Sequence, residues 1–486
     1  MAKSAVRYVK LAQCVYLCML TVYTILREVV PLQVLIGSSL LSYGMFGLGL
    51  AVAAAGVVVD RSSLKIRNIW LLAAFIGACV LSSVINFRFE FISNVKAIGW
   101  MCIFFFLLYP CGIRGEKEEG GSIRAVFISA VVTFSVLVAV CLPMYFLNVD
   151  YTYLKESGTI SNQGFSNQYM RLWGVFQDAN SAAVYASAAL MMAICLFVRY
   201  RNVVVRCLLG LCGVMLITFV VLTGSRTAEL VLLIVCGWAA LYTALTKWGR
   251  GWKKVVVAAG ACLAAVALCY GLLSGIQFSL PYLQRTVERG TGAGIVQAAQ
   301  GMYERVYRLG RIELKATEKP EQPPESEDDE VDTLDRIDLE GKDDVSNGRF
   351  VKWMDALEIF SKSPVVGASP RGISAFGKVH CPDNTISKYG YAAHNFLLEI
   401  LAGTGLIGLT IALLILFRTM LIPVQAALKS KFDAKLLAFS SMALVLVCAS
   451  VLVSDLFFIL TFGGVVFWLS VGVINGMQTA PREENV

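Results

Sequence analysis

A chain of 486 residues that is 57% hydrophobic and 16% charged, with a mean hydropathy of +0.68, is too apolar for a soluble globular protein. The formal charge of +8 is modest, and its basic residues sit in short connectors between apolar runs, so membrane lipids are expected partners and nucleic acid is not. Fourteen cysteines are scattered with no C-x-x-C or C-x-x-H spacing, and only Cys381 lies in the large polar segment, so neither a disulfide framework nor a metal or other cofactor is expected.

Apolar runs near the ~20 residues that a spanning helix needs recur from end to end, without the alternation of a strand barrel. They predict an all-α polytopic membrane protein with spans at about 9–26, 31–59, 69–87, 94–113, 124–147, 179–198, 207–223, 228–246, 255–274, 395–417, 435–454 and 456–475, twelve transmembrane helices in all. The first run is read as a retained span, because Arg27 and Glu28 follow where a signal peptide would have small residues. Lysine and arginine gather in alternate connectors, for example Arg61, Lys65 and Arg67, or Lys247, Arg250, Lys253 and Lys254. The positive-inside rule then puts both termini in the cytoplasm. Residues 1–274 form helices 1–9, 275–394 a large extracytoplasmic loop, 395–475 helices 10–12, and 476–486 a cytoplasmic tail.

Within the loop, residues 316–346 are acidic and proline-rich and are expected to be a disordered insertion. Both flanks read as amphipathic helices. Residues 283–311 carry Arg305, Arg308 and Arg311 toward anionic headgroups or glycan phosphates. Residues 348–362 place Phe350, Trp353, Met354, Leu357 and Phe360 on one face, which predicts packing onto the membrane domain.

Polar residues cluster where spans meet the outer surface. Arg226, in "LTGSRTAEL", occupies a very short connector and lies near headgroup level, where an ionisable group either faces a cavity or partner or anchors a span end. Arg349 opens the second amphipathic helix, and Arg371 lies in the turn "GASPRGISAF". Converging arginines suit a diphosphate, since the planar guanidinium binds phosphate oxygens in pairs and stays charged. His394 is one of only two histidines, and stands at a membrane entrance where an imidazole near neutral pH can take a proton from a hydroxyl. His380 reads as a loop residue. Asn395, Gly403, Gly405 and Gly408 follow His394, the glycines predicting close approach of a neighbouring helix. Arg171 and Asn180 lie at the mouth of the sixth span, where Asn180 is a candidate helix cap. Glu358 and Asp383 are nearby carboxylates, so composition does not by itself single out a base.

In this order, "GVFQDANSAAVYA", "LTGSRTAEL", "NGRFVKWMDALEIFSKSPVVGASPRGISAF" and "AAHNFLLEILAGTGLIGL" resemble the O-antigen ligase and polymerase family of bacterial surface-polysaccharide enzymes, over about residues 171–420. The resemblance implies a glycosyltransferase of the inner membrane that moves a glycan from a polyprenyl diphosphate carrier to a hydroxyl on a glycan, lipid, protein or wall acceptor, without a metal. It implies His394 as the catalytic histidine and Arg226 and Arg349, with Arg371 or Arg171, on the donor diphosphate, with Asn180 and Asn395 supporting them. The chain departs from the family pattern at Ala179, where a proline is usual, and in the 316–346 insertion. Repeat-unit polymerisation is the alternative within that chemistry. A lipid-linked sugar flippase or other transporter is the alternative outside it, although no internal repeat joins the two halves.

Overall fold

The computed structural model describes residues 2–117, 121–154, 160–248, 252–291, 293–316, 348–453 and 455–477. Nearly all of the expected acidic insertion and most of the expected cytoplasmic tail therefore lie outside the described residues. The helices run in the order α1 (Ala2–Leu26), α2 (Gln33–Ile36), α3 (Ser39–Val59), α4 (Ile69–Ile85), α5 (Phe91–Ile103), α6 (Tyr109–Lys117), α7 (Gly121–Phe146), α8 (Ala179–Arg199), α9 (Val203–Leu222) and α10 (Arg226–Lys247). They continue with α11 (Trp252–Gly290), α12 (Ala293–Leu309), α13 (Arg349–Lys362), α14 (Ile373–His380), α15 (Thr385–Tyr389), α16 (Phe396–Leu428), α17 (Ala434–Ser450) and α18 (Phe462–Met477).

Among the described residues, nine helical stretches are long and apolar enough to cross a membrane, α5 and α6 forming one of them through a π-turn at Phe104–Leu108. Three shorter apolar helices, α4, α17 and α18, fall on the third, eleventh and twelfth expected spans. The protein is a polytopic α-helical membrane protein. Helix α18 is apolar all round and buried from Phe462 to Gly476, the pattern of a helix enclosed by others rather than facing lipid. Its Gly472 lies so close to α6 that a Cβ there would stand 2.3 Å from the Tyr109 carbonyl oxygen, the close approach that small residues allow between membrane helices.

Two departures from the expected layout matter for the site. The connector between the fifth and sixth spans forms an antiparallel sheet of β1 (Asp150–Leu154), β2 (Ile160–Ser166) and β3 (Arg171–Gly174), with β4 (Lys315–Ala316) added at one edge, in the order β3-β2-β1-β4. Tyr151 and Tyr153 alternate inward on β1, as a half-buried strand requires. Helix α11 continues sixteen residues beyond the predicted end of its span at 274, to Gly290, and α12 folds onto the sheet. Tyr303 and Tyr307 of α12 are buried there, donating to the Val140 carbonyl at 2.9 Å and to Gln163 Oε1 at 2.5 Å. Arg305, Arg308 and Arg311 remain exposed on its other side.

The second departure is in α16. Its backbone breaks at Gly405 (φ 64°, ψ −163°), and the segment after α13 fills the break. The Leu406 and Ile407 amides donate to the Pro364 and Val365 carbonyls at 2.9 and 3.3 Å, and the Ala368 amide donates to the Ala402 carbonyl at 2.8 Å. The backbone groups that the break would leave unpaired in the membrane are thus satisfied by a re-entrant strand of chain. The close approach expected at Gly403 and Gly405 is present, but the neighbour is this segment rather than a whole helix. Polar residues of α4 and α5 latch it: Ser82 Oγ donates to the Gly403 carbonyl at 2.9 Å and accepts from the Ser369 amide at 3.0 Å. Asn86 Nδ2 donates to the Gly367 carbonyl at 2.9 Å. Asn94 donates to Ser369 Oγ at 3.0 Å and accepts from the Arg371 amide at 2.7 Å.

Helix α13 also sits differently from the expectation. Ala356 and Ile359 are its buried residues, joining Ala368, Ile373, Phe376 and Ile386 in a small second core, while Phe350, Met354 and Leu357 are exposed. The helix is rotated because its Asp355 is tied to the turn before α15, with Oδ2 accepting from the Thr385 amide at 2.9 Å and the Asp355 carbonyl accepting from Asn384 Nδ2 at the same distance.

The break gives a sharp expectation for glycine. A Cβ at Gly405 would stand 2.3 Å from the Val365 carbonyl oxygen, in a left-handed backbone conformation, whereas one on helical Gly271 would meet nothing within 4 Å. Gly405→Ala should destabilise the purified protein by at least about 2 kcal/mol. Gly271→Ala should leave stability unchanged or raise it by up to about 1 kcal/mol. Thermal unfolding in detergent reads both, and equal midpoints for the two variants would contradict the re-entrant arrangement.

Candidate functional site

The end of the bundle that carries His394 is assembled from several chain segments, most placed by a local rule. Helix α9 ends at Thr223, and Gly224 takes the left-handed conformation (φ 57°) that closes a helix, after which Ser225 caps α10 through its Oγ and the Ala228 amide at 3.4 Å. That turn leaves Arg226 exposed at the first position of α10, with no ion pair among the described residues.

Arg171, at the start of β3, is only 6% exposed. Its Nε donates to the Thr223 carbonyl at 2.7 Å, its Nη2 donates to Asn180 Oδ1 at 2.8 Å, and the guanidinium lies 5.0 Å from the Trp173 ring centroid. This differs from the expected contact with a diphosphate, since burial and hydrogen bonding hold the side chain between the sheet and the α9–α10 turn. Asn180 is likewise not the cap of α8. Asp178 is, accepting from the Ser181 amide at 2.8 Å and from Ser181 Oγ at 2.7 Å, and Asn180 serves Arg171 instead.

His394 precedes the N-cap of α16. Asn395, 8% exposed, accepts from the Leu397 and Leu398 amides at 3.0 and 3.3 Å, a capping role. Glu399, one turn in, reaches back to accept from the Ala393 amide. Held from both sides, His394 adopts φ 53°, an unusual value for a non-glycine residue and one that persists where the surroundings fix it. The residue is exposed, with protein atoms crowding its side chain. Burial lowers its pKa below the usual histidine value, the Lys352 and Arg349 charges lower it further, and Asp178 and a hydrogen bond with the Val453 backbone oppose them. Lys352 is itself pushed down by burial and by Arg349, and lies 4.9 Å from the Tyr391 ring centroid.

His394, Arg349, Lys352 and Asp178 are therefore within electrostatic reach of one another, although they come from α13, the approach to α16 and the start of α8. Glu28, beyond α1, joins them from a fourth direction. Its carboxyl is pushed up to about 7, first by burial, with Arg27 opposing and Asp178 adding to the rise. Its carbonyl accepts from the Gln177 amide at 2.8 Å, which ties the end of α1 to the start of α8.

Arg371 follows the re-entrant segment and is exposed, with Glu399 and Asp455 as the charges that feel it. Asp455 accepts from the Phe457 and Phe458 amides at 2.7 and 3.0 Å, and burial raises its pKa against those bonds and the Arg371 charge. By contrast, Asp383 pairs with Lys388 at 3.4 Å, Glu358 accepts from Asn384 at 3.1 Å, and the His380 ring lies tilted against Phe376 with centroids 4.2 Å apart, so none of the three joins this group.

The sequence reading missed Glu28, Asp178, Lys352, Glu399 and Asp455. For Glu399 and Asp455 a signal was present, because a carboxylate inside or between apolar spans is costly and usually functional. Chemically, the arrangement offers a neutral imidazole with a lowered proton affinity, cations from three segments, and carboxylates that hold the backbone around them. Such a site can accept a proton and stabilise anionic charge.

The fold and this site define a polytopic membrane protein with a cluster of charged and polar residues at one end of its bundle. Residues 211–413 match the family model described as O-antigen ligase, which includes Arg226, Arg349, Arg371 and His394, so the resemblance to that family holds over this segment. The segment is narrower than the one first read, leaving out Arg171, Asp178, Asn180 and Asp455. No curated protein matches the chain. The family match supports a membrane glycosyltransferase-like role in polysaccharide assembly, and with the spanning helices it supports a multi-pass protein of a bacterial inner membrane.

The electrostatics are directly testable, because the chain has two histidines and their ring resonances are separable. Asp178→Asn should lower the His394 pKa and Arg349→Gln should raise it, by NMR titration. A His394 pKa unchanged in both variants would show that the two charges do not reach the imidazole.

Proposed function

We propose that the chain is a glycosyltransferase that moves a glycan from a polyprenyl diphosphate carrier to a hydroxyl acceptor on the outer side of the membrane. The observation that carries this reading is the meeting of His394 with Arg349, Lys352 and Asp178 at the end of the bundle where Arg226 and Arg371 also lie. Arg226, Arg349 and Arg371 bind the donor diphosphate and stabilise the charge that develops on it as the glycosyl bond breaks. His394 takes the proton of the acceptor hydroxyl, whose oxygen attacks the anomeric carbon from the face opposite the diphosphate, so the product is inverted at that carbon. Burial and the neighbouring cations keep the imidazole neutral near pH 7, the form that accepts a proton. Arg171 and Asn180 are positioning residues that hold the α9–α10 turn carrying Arg226.

Both termini are assigned to the cytoplasm from the distribution of basic connectors, and the reaction needs no metal. Ligation of a finished glycan and polymerisation of repeat units share this chemistry and differ in the acceptor. The distribution of product lengths separates them.

The test is transfer from a polyprenyl diphosphate-linked glycan by the purified protein in liposomes, with chelator present. Wild type should release polyprenyl diphosphate, and His394→Ala should lower transfer by about 10²- to 10⁴-fold while still binding donor. Arg226→Ala and Arg349→Ala should each lower transfer by about 10²-fold or more and weaken donor binding as well. For wild type, kcat/KM should fall with decreasing pH only below the ordinary histidine range, because the folded-state pKa is depressed and the base is lost on protonation. Full turnover by His394→Ala would remove its assigned role, and complete dependence on an added metal would overturn the metal-free mechanism.

A further inference from the structure

At the far end of the bundle from His394, two arginines are held together without an acidic partner. Arg418 lies on α16, 22 residues beyond Phe396 and therefore roughly 30 Å along the helix. Its Nε donates to Asn68 Oδ1 at 2.9 Å. Asn68 is 4% exposed, holds φ 60°, and donates through Nδ2 to Asn475 Oδ1 at 2.9 Å, while Asn475 donates to Thr419 Oγ1 at 3.0 Å. This buried amide network sets Arg418 beside Arg67, the residue that precedes Asn68.

Arg67 has a buried Nε with no hydrogen-bond partner, and burial and the Arg418 charge both lower its pKa. Among the described residues no carboxylate pairs with either arginine. Asp60, in the same connector, is taken by Arg114 at 3.5 Å. Two like charges at a partly buried site, one with an unsatisfied donor, are unfavourable unless an anion joins them. Trp70 is 61% exposed just beyond this connector, as an aromatic at headgroup level is. From the same level an apolar groove runs along α16, lined by Thr410, Leu413, Leu414, Phe417 and Met420. Arg418 stands one turn beyond Leu414 and between Phe417 and Met420 on that helix, so the cationic pair lies beside the groove.

We propose that Arg67 and Arg418 bind the phosphate of an anionic glycerophospholipid whose acyl chain lies in the α16 groove. Guanidinium pairs grip phosphate oxygens in two places each, and basic pockets beside membrane helices select anionic headgroups. The bound lipid would fix the far end of α16, and through Asn68 and Asn475 the registry of α4 with α18. The site is independent of the reaction assigned above.

Native mass spectrometry of the full chain, exchanged in detergent against phosphatidylglycerol or phosphatidylcholine with the same acyl chains, tests it. Wild type should retain phosphatidylglycerol about tenfold better than phosphatidylcholine, and Arg67→Gln/Arg418→Gln should lose that preference. Should the double variant not fold, Arg418→Gln alone changes an exposed residue and should still cut the preference severalfold. Equal retention of the two lipids by wild type, or an undiminished preference in a folded variant, would overturn the proposal. Displacement of phosphatidylglycerol by millimolar inorganic phosphate would make the arginines a free-anion site and overturn the lipid assignment.

Discussion

A membrane helix cannot leave backbone groups unpaired in hydrocarbon, and α16 meets that constraint by borrowing chain from the segment that precedes it. The Gly405 break exposes the Ala402 carbonyl and the Leu406 and Ile407 amides, and residues 364–368 supply their partners. Because the repair comes from the connection between α13 and α14, the end of α13, the Arg371 turn and the first turns of α16 are bound into one unit. Ser82, Asn86 and Asn94 then fasten the unit to α4 and α5. The positions of Arg349, Arg371 and His394 all depend on this repair.

On the α8 and α10 side of the site the anchor is a set of caps. Asp178 caps α8 and faces His394, Ser225 caps α10 next to Arg226, and Arg171 joins the two by bonding to Asn180 and to the Thr223 carbonyl. Each capping group satisfies helix-end amides and at the same time orients a charged neighbour. His394 remains in a field positive enough to depress its proton affinity, moderated by Asp178. The same economy governs the opposite end, where Asn68 and Asn475 orient Arg418 beside Arg67.

Much of this was legible in the sequence because spanning helices are specified locally. An apolar run of fixed length is sufficient, and each of the twelve expected spans has a helix at its position. Arg226, Arg349, Arg371 and His394 were found because they sit at the ends of such runs, where ionisable side chains are conspicuous. The sheet at 150–174 was not found, since β1 and β2 are short, polar and interrupted by Gly164, whose φ of 74° lies beside a register shift. Helix α13 was recognised as amphipathic, yet its larger apolar residues face outward because Asp355 pins the opposite orientation.

The sequence by itself determined the helical membrane architecture, the polar segment that interrupts it and the residues with reactive side chains, since these follow from composition and spacing along the chain. Only the tertiary structure decided which of those residues meet. It placed Asp178 and Lys352 with His394 and Glu28 near Asp178, withdrew Arg171 into a supporting bond, and turned a run of glycines into a helix break filled by the segment after α13. The physical reason is that hydropathy acts over one helix, whereas backbone pairing in the membrane and the field at a charged site are set by groups tens to hundreds of residues apart along the chain.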